Sequence, residues 1–322
     1  MMSARFSIII PHYNIPRLLN ICLESIPKRD DVQVIVVDDC SSDSVKRELK
    51  RLEEKFPHVM LVYLRRHSTA GHARNVGLEY ANGDYIIFAD ADDFFHECIN
   101  SVFDEYKDET CDMIVFNADS VEVKTGAPGD RHRKLQRMIE EHEHDSRKGE
   151  LFLRYCFTQP WCRFVRRKLI EDGQIKFDEI FAINDTTFAY LIGFKADRIK
   201  VDRRKLYCIT KRDDSLTFIP SLKRSLLVID VLSRKNKFLK QHGIPVFDFE
   251  IFNPFRDYFK QGDWHSLGIL FAKAKLCGYS KCFILFQMLG MSLRCRWSAF
   301  TGKEREILTQ LVWPRLFSVS RK

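Results

Sequence analysis

The sequence predicts an α/β protein with a doubly wound, mainly parallel sheet and a helical appendage at its C-terminus. Three observations lead to this prediction. Strand and helix signals alternate in the N-terminal third of the chain, polar residues stand where the strands end, and helical spacing dominates residues 220–322. Alternating βαβ units form parallel sheets, which bind ligands at the carboxyl ends of their strands.

Residue periodicity predicts each element of the alternating region. Runs of β-branched and aromatic residues indicate strands, whereas apolar residues three or four positions apart indicate helices. The predicted elements are strand 6–10, helix 17–25, strand 32–37, helix 44–56, strand 59–64, helix 73–81, strand 85–89, helix 98–106 and strand 113–116. A further helix is predicted over 186–192, and helical spacing recurs at 222–238 and 267–276.

Length and composition restrict the class of protein. The chain of 322 residues exceeds the usual size of one domain, and a hydrophobic share of 45% can fill a core. Its ten cysteines include no Cys-x-x-Cys pair and no matching histidine spacing, which argues against a disulfide framework or a zinc site and for a reducing compartment. The first apolar stretch is too short for a signal peptide and is predicted to be a strand. We therefore expect a cytoplasmic protein.

Positive charge is concentrated in the C-terminal region. Residues 220–322 contain 18 Lys and Arg against 7 Asp and Glu, whereas the rest of the chain contains 34 against 37. Between Lys281 and Trp297 basic residues alternate with aromatic and aliphatic ones, and the nearly uncharged stretch 276–293 has the length of a short membrane span but contains polar residues. The pattern predicts either a helix bound to the anionic inner face of the cytoplasmic membrane or an ordinary packed helix. Nucleic acid is not an expected partner.

The run Ile-Ile-Phe-Ala-Asp-Ala-Asp-Asp at residues 86–93 is the strongest chemical signal in the chain. It is typical of a buried parallel strand that ends in carboxylates, here Asp90, Asp92 and Asp93. Carboxylates this close repel one another, so a hard divalent cation that carries a phosphate-bearing substrate would offset their charge. A solvated acidic turn is the alternative.

Two other predicted strands also end in polar residues. The first runs into Pro11-His12-Tyr13-Asn14 and the second into Asp38-Asp39. Tyr13 can offer a ring face to a nucleotide base, and Asp39 can accept a hydrogen bond from an imide N–H such as that of uracil. Each residue alone is more often part of a turn or a helix cap. Together with the acidic triplet, they predict one polar crevice at an edge of the sheet.

A glycine-bearing segment, residues 69–78, leads into the predicted helix 73–81. The first N–H groups of a helix and its dipole favour an anion, and Arg74 would add a guanidinium to a diphosphate. Alone, the segment could equally be a helix start with a surface arginine. Beside Asp90 and Asp92 it indicates that the anion and the cation belong to one ligand.

In this order the motifs resemble those of family 2 glycosyltransferases of the GT-A fold, which is Rossmann-like. The residues that carry the resemblance are Ile-Ile-Ile-Pro-x-Tyr-Asn (8–14), Val-Val-Asp-Asp-Cys-Ser-Ser-Asp (36–43), Gly-x-x-Arg-Asn-x-Gly-Leu (71–78) and Phe-Ala-Asp-Ala-Asp-Asp (88–93). The resemblance implies that Pro11 and Asn14 lie beside a bound nucleotide-sugar. Asp93 is expected only to cap the following turn, and His12 is given no role.

The resemblance also implies roles for the remaining strand-end residues. Asp39 would contact the base, and Tyr13 would stack on it or flank it. Arg74 would lie near the diphosphate. Asp90 would reach the ribose or the metal shell, and Asp92 would ligate Mn²⁺ or Mg²⁺.

A weaker resemblance continues into the second half. Residues 159–169 are similar to the family's Trp-x-Lys-x-x-Arg segment, and residues 177–188 to its segment that ends Glu-Asp-x-x-Phe. Trp161 would bind the acceptor or serve the structure, and Asn184 stands where glutamate is usual. Asp185 would be the catalytic base, since inverting transfer needs a carboxylate to take the acceptor proton. A helix N-cap is the alternative role for Asp185.

The segment 207–217 is similar to a family loop in which a histidine commonly stands at the position of Arg212. Arg212 could hold the leaving diphosphate but could not ligate a metal. A solvated basic loop is the alternative. The resemblance divides the chain into a nucleotide-sugar-binding half (1–120), an acceptor-binding half with the catalytic base (121–219) and a basic helical region (220–322).

The predicted function is non-processive, inverting transfer of one hexose or N-acetylhexosamine from a nucleoside-diphosphate sugar, in particular a UDP-sugar. The acceptor would be a saccharide or lipid-linked hydroxyl in polysaccharide or lipopolysaccharide biosynthesis. A sugar-nucleotide nucleotidyltransferase would be expected to begin with a glycine-rich basic loop, which this chain lacks after its first strand. A non-catalytic carbohydrate- or lipid-surface-binding protein on the same fold is the other alternative, against which Asp39, Asp92 and Asp185 argue.

Overall fold

A computed structural model describes residues 4–211, 221–246, 251, 253–279 and 284. The chain divides into two compact units, Met1–Pro220 and Ser221–Lys322. The first unit contains both strands and helices, and the described part of the second is helical.

The first unit is built on one mixed sheet, which has eight strands among the described residues. The strands are β1 (Phe6–His12), β2 (Val32–Asp38), β3 (Val59–Tyr63), β4 (Tyr85–Phe88), β5 (Phe94–Phe95), β6 (Met113–Glu122), β7 (Arg163–Arg166) and β8 (Ile199–Lys211). Their order is β3-β2-β1-β4-β7-β6-β8-β5. β1 is parallel to β2 and β4, β2 is parallel to β3, and β6 is parallel to β8. β7 is antiparallel to β4 and β6, and β5 is antiparallel to β8.

The helices of the first unit pack against this sheet and against each other. They are α1 (Pro16–Glu24), α2 (Asp43–Lys55), α3 (Ala70–Tyr80), α4 (Ile99–Tyr106), α5 (Arg133–His144), α6 (Ser146–Tyr155), α7 (Arg167–Asp172) and α8 (Thr186–Lys195). α3 lies directly on β1, because a Cβ at Gly77 would stand 2.4 Å from Cγ2 of Ile9. Beneath the sheet, the rings of Phe6 and Phe103 lie 4.6 Å apart. This packing holds the ends of β1, β2 and β4 side by side.

The predicted elements of the first 120 residues are all present, and most of their bounds agree within two residues. The predicted helix 186–192 is α8, and the predicted doubly wound, mainly parallel class is confirmed. β5, β7 and β8 were not predicted. β7 has the sequence Arg-Phe-Val-Arg, which shows no strand alternation, and Arg163 at its start is buried at 2% exposure. Such strands form because neighbours in the sheet complete them, which periodicity does not reveal.

The described part of the second unit consists of three helices, α9 (Leu222–Gln241), α10 (Asn253–Gln261) and α11 (Trp264–Leu276). They share an apolar core that includes Ile229, Phe255 and Leu270, each fully buried. No helix among the residues described is long and apolar enough to cross a bilayer. α11 ends where the predicted helix 276–293 would begin, and nearly all of that segment lies outside the described residues.

Candidate active site

The loops after β1 and β2 are tied together by Asn14. Its backbone N–H donates to Oγ of Ser41 at 2.8 Å, and its Oδ1 accepts from the N–H of Ser42 at 2.9 Å. Asn14 has a φ of 54°, a left-handed conformation that asparagine tolerates better than most residues. Pro11 lies within β1, in register with Val37. These residues form one edge of the predicted crevice.

His12 has a structural partner that the sequence did not reveal. The ring is 2% exposed, and its Nε2 accepts from the N–H of Ile15 at 3.2 Å, so that Nδ1 is the nitrogen that donates to Asp38 at 2.8 Å. Burial alone would raise the pKa of Asp38, but the hydrogen bonds from His12 and Ser41 outweigh it and hold that pKa below its usual value. Asp38 therefore anchors the loop as an ionised acceptor.

Tyr13 and Asp39 meet at His67, a residue that no motif singled out. The Tyr13 ring is 44% exposed and stacks on the His67 ring with 4.2 Å between centroids. Asp39 is 4% exposed, its Oδ1 accepts from the N–H of Ser68 at 2.8 Å, and its Oδ2 lies 3.1 Å from Nδ1 of His67. Burial raises the pKa of Asp39. An aromatic face and a carboxylate acceptor thus stand side by side, as recognition of a base requires.

Arg74 connects the acidic strand end to the segment that carries Asp185. It is 6% exposed, which excludes the alternative prediction of a helix start with a surface arginine. Nη2 donates to Oδ1 of Asp90 at 2.7 Å, and Nη1 donates to Oδ1 of Asn184 at 3.1 Å. The guanidinium also lies over the Phe177 ring, 5.4 Å from its centroid. The Arg74 guanidinium therefore holds both the acidic strand end and the segment before Asp185.

The neighbours of Arg74 hold the same segment in place. Asn75 makes a paired contact with the backbone of Phe177, donating to its carbonyl at 3.0 Å and accepting from its N–H at 2.8 Å. A Cβ at Gly71 would stand 2.2 Å from the carbonyl oxygen of Asp178, so only glycine permits this approach. The motif Gly-x-x-Arg-Asn thus docks α3 against residues 177–185.

The acidic turn is anchored on β8 through Thr210. The Thr210 N–H donates to Oδ1 of Asp93 at 2.7 Å, and its hydroxyl donates to the carbonyl of Asp92 at 2.7 Å. Asp93 is 3% exposed, and burial together with the charges of Asp92 and Asp90 raises its pKa well above the usual value. The expectation that Asp93 only caps a turn was wrong, because its carboxylate accepts from the backbone of Thr210 and so ties the acidic turn to β8.

Trp161 lies behind the same turn. It is 8% exposed and stacks on Tyr207, with ring centroids 6.0 Å apart, and the Tyr207 hydroxyl accepts from the N–H of Asp90 at 2.8 Å. This geometry favours the structural reading of Trp161 over acceptor binding.

Asp185 occupies the N-cap position of α8, but its side chain makes no capping hydrogen bond. The alternative reading, in which Asp185 serves as a cap, is therefore not what the geometry favours. Burial raises the pKa of Asp185 to about 6, although the charge of Arg74 works in the opposite direction. A carboxylate with a pKa near neutrality is suited to accept a proton at physiological pH.

Carboxylate oxygens suit a hard divalent cation, and the acidic turn supplies them. Asp92, the metal ligand that the family resemblance implies, is half-buried in the same turn as Asp90, which pairs with Arg74. Arg212 lies outside the described residues.

The sequence is similar to those of known proteins over most of the first unit. A sequence model of glycosyl transferase family 2 matches residues 7–173, which is more than half of the chain. The poly(ribitol-phosphate) beta-N-acetylglucosaminyltransferase TarS of Staphylococcus aureus is 27% identical over 216 residues, which cover 65% of this chain but only 36% of TarS. The chain thus spans about a third of the length of that relative.

Two solved structures share the fold. Staphylococcus aureus TarS 1–349 in complex with UDP-GlcNAc matches with a TM-score of 0.61 and 22% identity, covering 85% of this chain and 81% of that one. The mannosyltransferase PcManGT from Pyrobaculum calidifontis, in complex with GDP-Man and Mn²⁺, matches with a TM-score of 0.54 and 17% identity, covering 99% and 82%. At identities this low, the structural similarity establishes only the fold, which is GT-A. Together with the match over residues 7–173, they confirm the predicted resemblance: the chain belongs to glycosyl transferase family 2.

Proposed function

We propose that this protein transfers one sugar from a UDP-sugar to a hydroxyl of a saccharide or lipid-linked acceptor, with inversion at the anomeric carbon. The observation that carries the proposal is the buried Arg74 guanidinium, bonded to Asp90 on one side and on the other to Asn184, the residue before Asp185. It joins the strand ends that would bind the donor to the carboxylate that would activate the acceptor. The similarity to TarS supports an N-acetylhexosamine donor and an acceptor in a cell-surface polymer.

The donor nucleotide would bind at Tyr13 and Asp39. The exposed Tyr13 ring offers a face for stacking, and the Asp39 carboxylate accepts but does not donate, which suits the ring N–H of uracil. The diphosphate would extend toward Arg74 and Asp90, because the end of β1 lies between those of β2 and β4. The solved TarS complex with UDP-GlcNAc supports a uridine donor on this fold.

A divalent cation, Mn²⁺ or Mg²⁺, would be held by Asp92, with Asp90 in its surroundings. The surroundings of Asp93 support this assignment: burial, together with the charges of Asp92 and Asp90, raises the pKa of Asp93, and a cation would offset the repulsion among these carboxylates. When bound, the cation would neutralise charge on the diphosphate. The Mn²⁺ in the PcManGT complex supports such a cofactor in this fold.

The chemical step assigned to Asp185 is proton removal. As the acceptor oxygen forms its bond to the anomeric carbon, its proton passes to the Asp185 carboxylate, and the bond between that carbon and the diphosphate oxygen breaks with its electron pair. Arg74 stabilises the departing diphosphate through its charge. Attack from the face opposite the nucleotide inverts the configuration.

Nucleoside diphosphate release distinguishes the candidate functions. The full chain would be incubated with a panel of sugar nucleotides, with and without Mn²⁺ or an acceptor oligosaccharide, and products separated by mass. Transfer predicts UDP release that depends on Asp92 and Asp185 and survives in the exposed control variant Asp172→Asn. A nucleotidyltransferase would instead produce pyrophosphate from a nucleoside triphosphate and a sugar phosphate. A binding module would release nothing, and either outcome would overturn the proposal.

We also propose that the second unit contacts anionic membrane on the cytoplasmic face. Three exposed apolar side chains support this, Phe259 at 54%, Trp264 at 68% and Leu276 at 85%, and α11 carries the exposed Lys275 in its last turn. Aromatic and basic side chains together suit a lipid interface. The full chain should sediment with anionic vesicles but not with neutral ones, and Trp264→Ala should weaken the binding. Equal sedimentation with both vesicle types, or with neither, would contradict the proposal.

A further inference from the structure

Three potential metal ligands converge at the β6-β8-β5 edge of the sheet. They are His96, Asp119 and Cys208, and their ligand atoms all lie within 4.8 Å of one another. Asp119 on β6 and Cys208 on β8 are register partners, and Cys208 is also the partner of Phe94 on β5. The cluster is therefore assembled by strand pairing from three separate parts of the chain.

Regular structure holds each ligand in place. The His96 N–H donates to the carbonyl of Leu206 at 3.0 Å, which extends the pairing of β5 with β8 by one residue. The side chains of His96 and Asp119 are 34% and 29% exposed, and Cys208 is 1% exposed. Two ligands thus border solvent while the third is buried, an arrangement that gives an ion an entry path and leaves one position for water.

We propose that His96, Asp119 and Cys208 bind a zinc-type transition-metal ion at a site separate from the donor cation of Asp92. One nitrogen, one oxygen and one sulfur ligand suit Zn²⁺, whereas Mg²⁺ requires oxygen ligands. A carboxylate and a thiolate also match the charge of a divalent ion, so the complex would be neutral. The reaction exchanges the thiol proton, which is released to solvent, for the metal–sulfur bond.

Without metal, the same three groups form a hydrogen-bonded cluster. His96 Nε2 lies 2.8 Å from Oδ1 of Asp119. Burial and the hydrogen bond to Asp119 raise the pKa of Cys208 to about 12, so the metal-free cysteine is a thiol. Burial alone would raise the pKa of Asp119, but the hydrogen bonds from His96 and Cys208 hold it below its usual value. One ligand, Asp119, is thus already ionised.

The site would have a structural consequence. His96 follows β5, which itself follows Asp92 and Asp93, and the other two ligands lie on β6 and β8. A metal ion would therefore fasten the segment after the acidic turn to the edge of the sheet. The spacing of cysteine and histidine along the sequence argued against a zinc site. Such spacing cannot detect ligands that only sheet pairing brings together.

Cobalt(II) provides a direct test, since a cobalt–thiolate bond produces a charge-transfer band in the near ultraviolet. The full chain would carry Asp92→Asn, which removes the residue that would bind the cation of the sugar donor. It would be stripped of metal with a chelator and titrated with Co²⁺ and then Zn²⁺. We expect saturation at one equivalent, a thiolate band, and its displacement by Zn²⁺. Cys208→Ser should abolish the band. The matched control is Cys277→Ser, which removes a free thiol 3.9 Å from the Asp230 carboxylate and should leave the band unchanged.

Two further variants keep the test informative if Cys208→Ser does not fold. His96→Ala and Asp119→Asn change partly exposed side chains, so both should fold, and each should weaken Co²⁺ binding at least tenfold. Absence of a thiolate band in the parent, or its persistence in Cys208→Ser, would overturn the proposal. None of these measurements depends on sugar transfer, so their outcome is separate from that of the proposed glycosyltransferase activity.

Discussion

Replacing Asp185 by asparagine should change activity and stability in opposite directions. The substitution preserves shape but removes the proton acceptor, and general-base catalysis is worth about 10²- to 10⁴-fold in rate. We therefore expect a loss of that size in sugar transfer with little change in UDP binding. The same carboxylate, partly withdrawn from water, disfavours folding when it is ionised, so the variant should be more stable than the parent at neutral pH.

The magnitude of the stability change follows from the pKa of Asp185, which is raised from 3.8 to about 6. A shift of about two units corresponds to about 3 kcal/mol between the two protonation states. Because the folded-state pKa is above the unfolded value, the protonated form contributes stability that is complete below about pH 4 and is lost as the pH rises through about 6. Asparagine is neutral throughout. The gain in unfolding free energy should thus be near zero at about pH 4 and reach about 1–3 kcal/mol above about pH 7.

Denaturation curves for the parent and Asp185→Asn across this pH range would measure the difference directly. The other titrating groups are common to both proteins, and Arg163, whose pKa burial lowers to about 9 against the opposing charge of Asp185, titrates above this pH range. The exposed residue Asp172 supplies the control, since Asp172→Asn should show no pH-dependent gain. A variant that is less stable than the parent at neutral pH, or a gain that does not vary with pH, would refute the electrostatic reasoning. Near-normal transfer with an authentic acceptor would refute the base assignment.

Three other substitutions test separate parts of the site. Gly71→Ala should reduce transfer at least tenfold, because its Cβ would stand 2.2 Å from the Asp178 carbonyl oxygen, whereas Gly268→Ala, with no atom within 4 Å, should be neutral in the same assay. Tyr13→Ala should weaken UDP binding by about 1–3 kcal/mol in calorimetry, the value of base–aromatic stacking; unchanged affinity would exclude a stacking role. Without divalent cation, Asp93→Asn should melt at a higher temperature than the parent above pH 7, because the raised pKa of Asp93 means that its ionised form opposes folding. A lower melting temperature would contradict this.

The parallel half of the fold could be predicted because its signals are local. β1, β2 and β4 are short runs of β-branched and aromatic residues that are buried on both faces. Helices with clear spacing separate β1 from β2 and β2 from β3. β8 could not be predicted, since its first half carries charged side chains and its pairing with β6 includes a register shift near Phe116. Whether such a segment forms a strand depends on a partner that is distant in the sequence.

The candidate site likewise contains residues that the sequence could predict and residues that it could not. Asp39, Arg74 and Asp90 stand at strand or helix ends, where sequence position alone indicates chemistry. His67 was missed because it follows β3 without a motif, and only the fold brings its ring against Tyr13. Thr210 was missed because its two hydrogen bonds to the acidic turn join residues 117 and 118 positions apart in the sequence. Contacts of that range depend on the tertiary structure and leave no periodic signal.

Asn184 is the departure from the family pattern with the clearest physical consequence. Arg74 donates to both Asp90 and Asn184, so its single positive charge is shared with one carboxylate. In Asn184→Glu a second carboxylate would enter beside Asp185, whose pKa already responds to the charges of Arg74, Asp90 and Arg163. Like charges raise the pKa of a carboxyl group, so the acidic limb of the pH–rate profile for transfer should move above the limb at about pH 6 expected for the parent. Asn184→Gln, which adds no charge, is the control. If the limb stays in place in Asn184→Glu, or moves equally in both variants, Asp185 is not the group whose ionisation the profile reports.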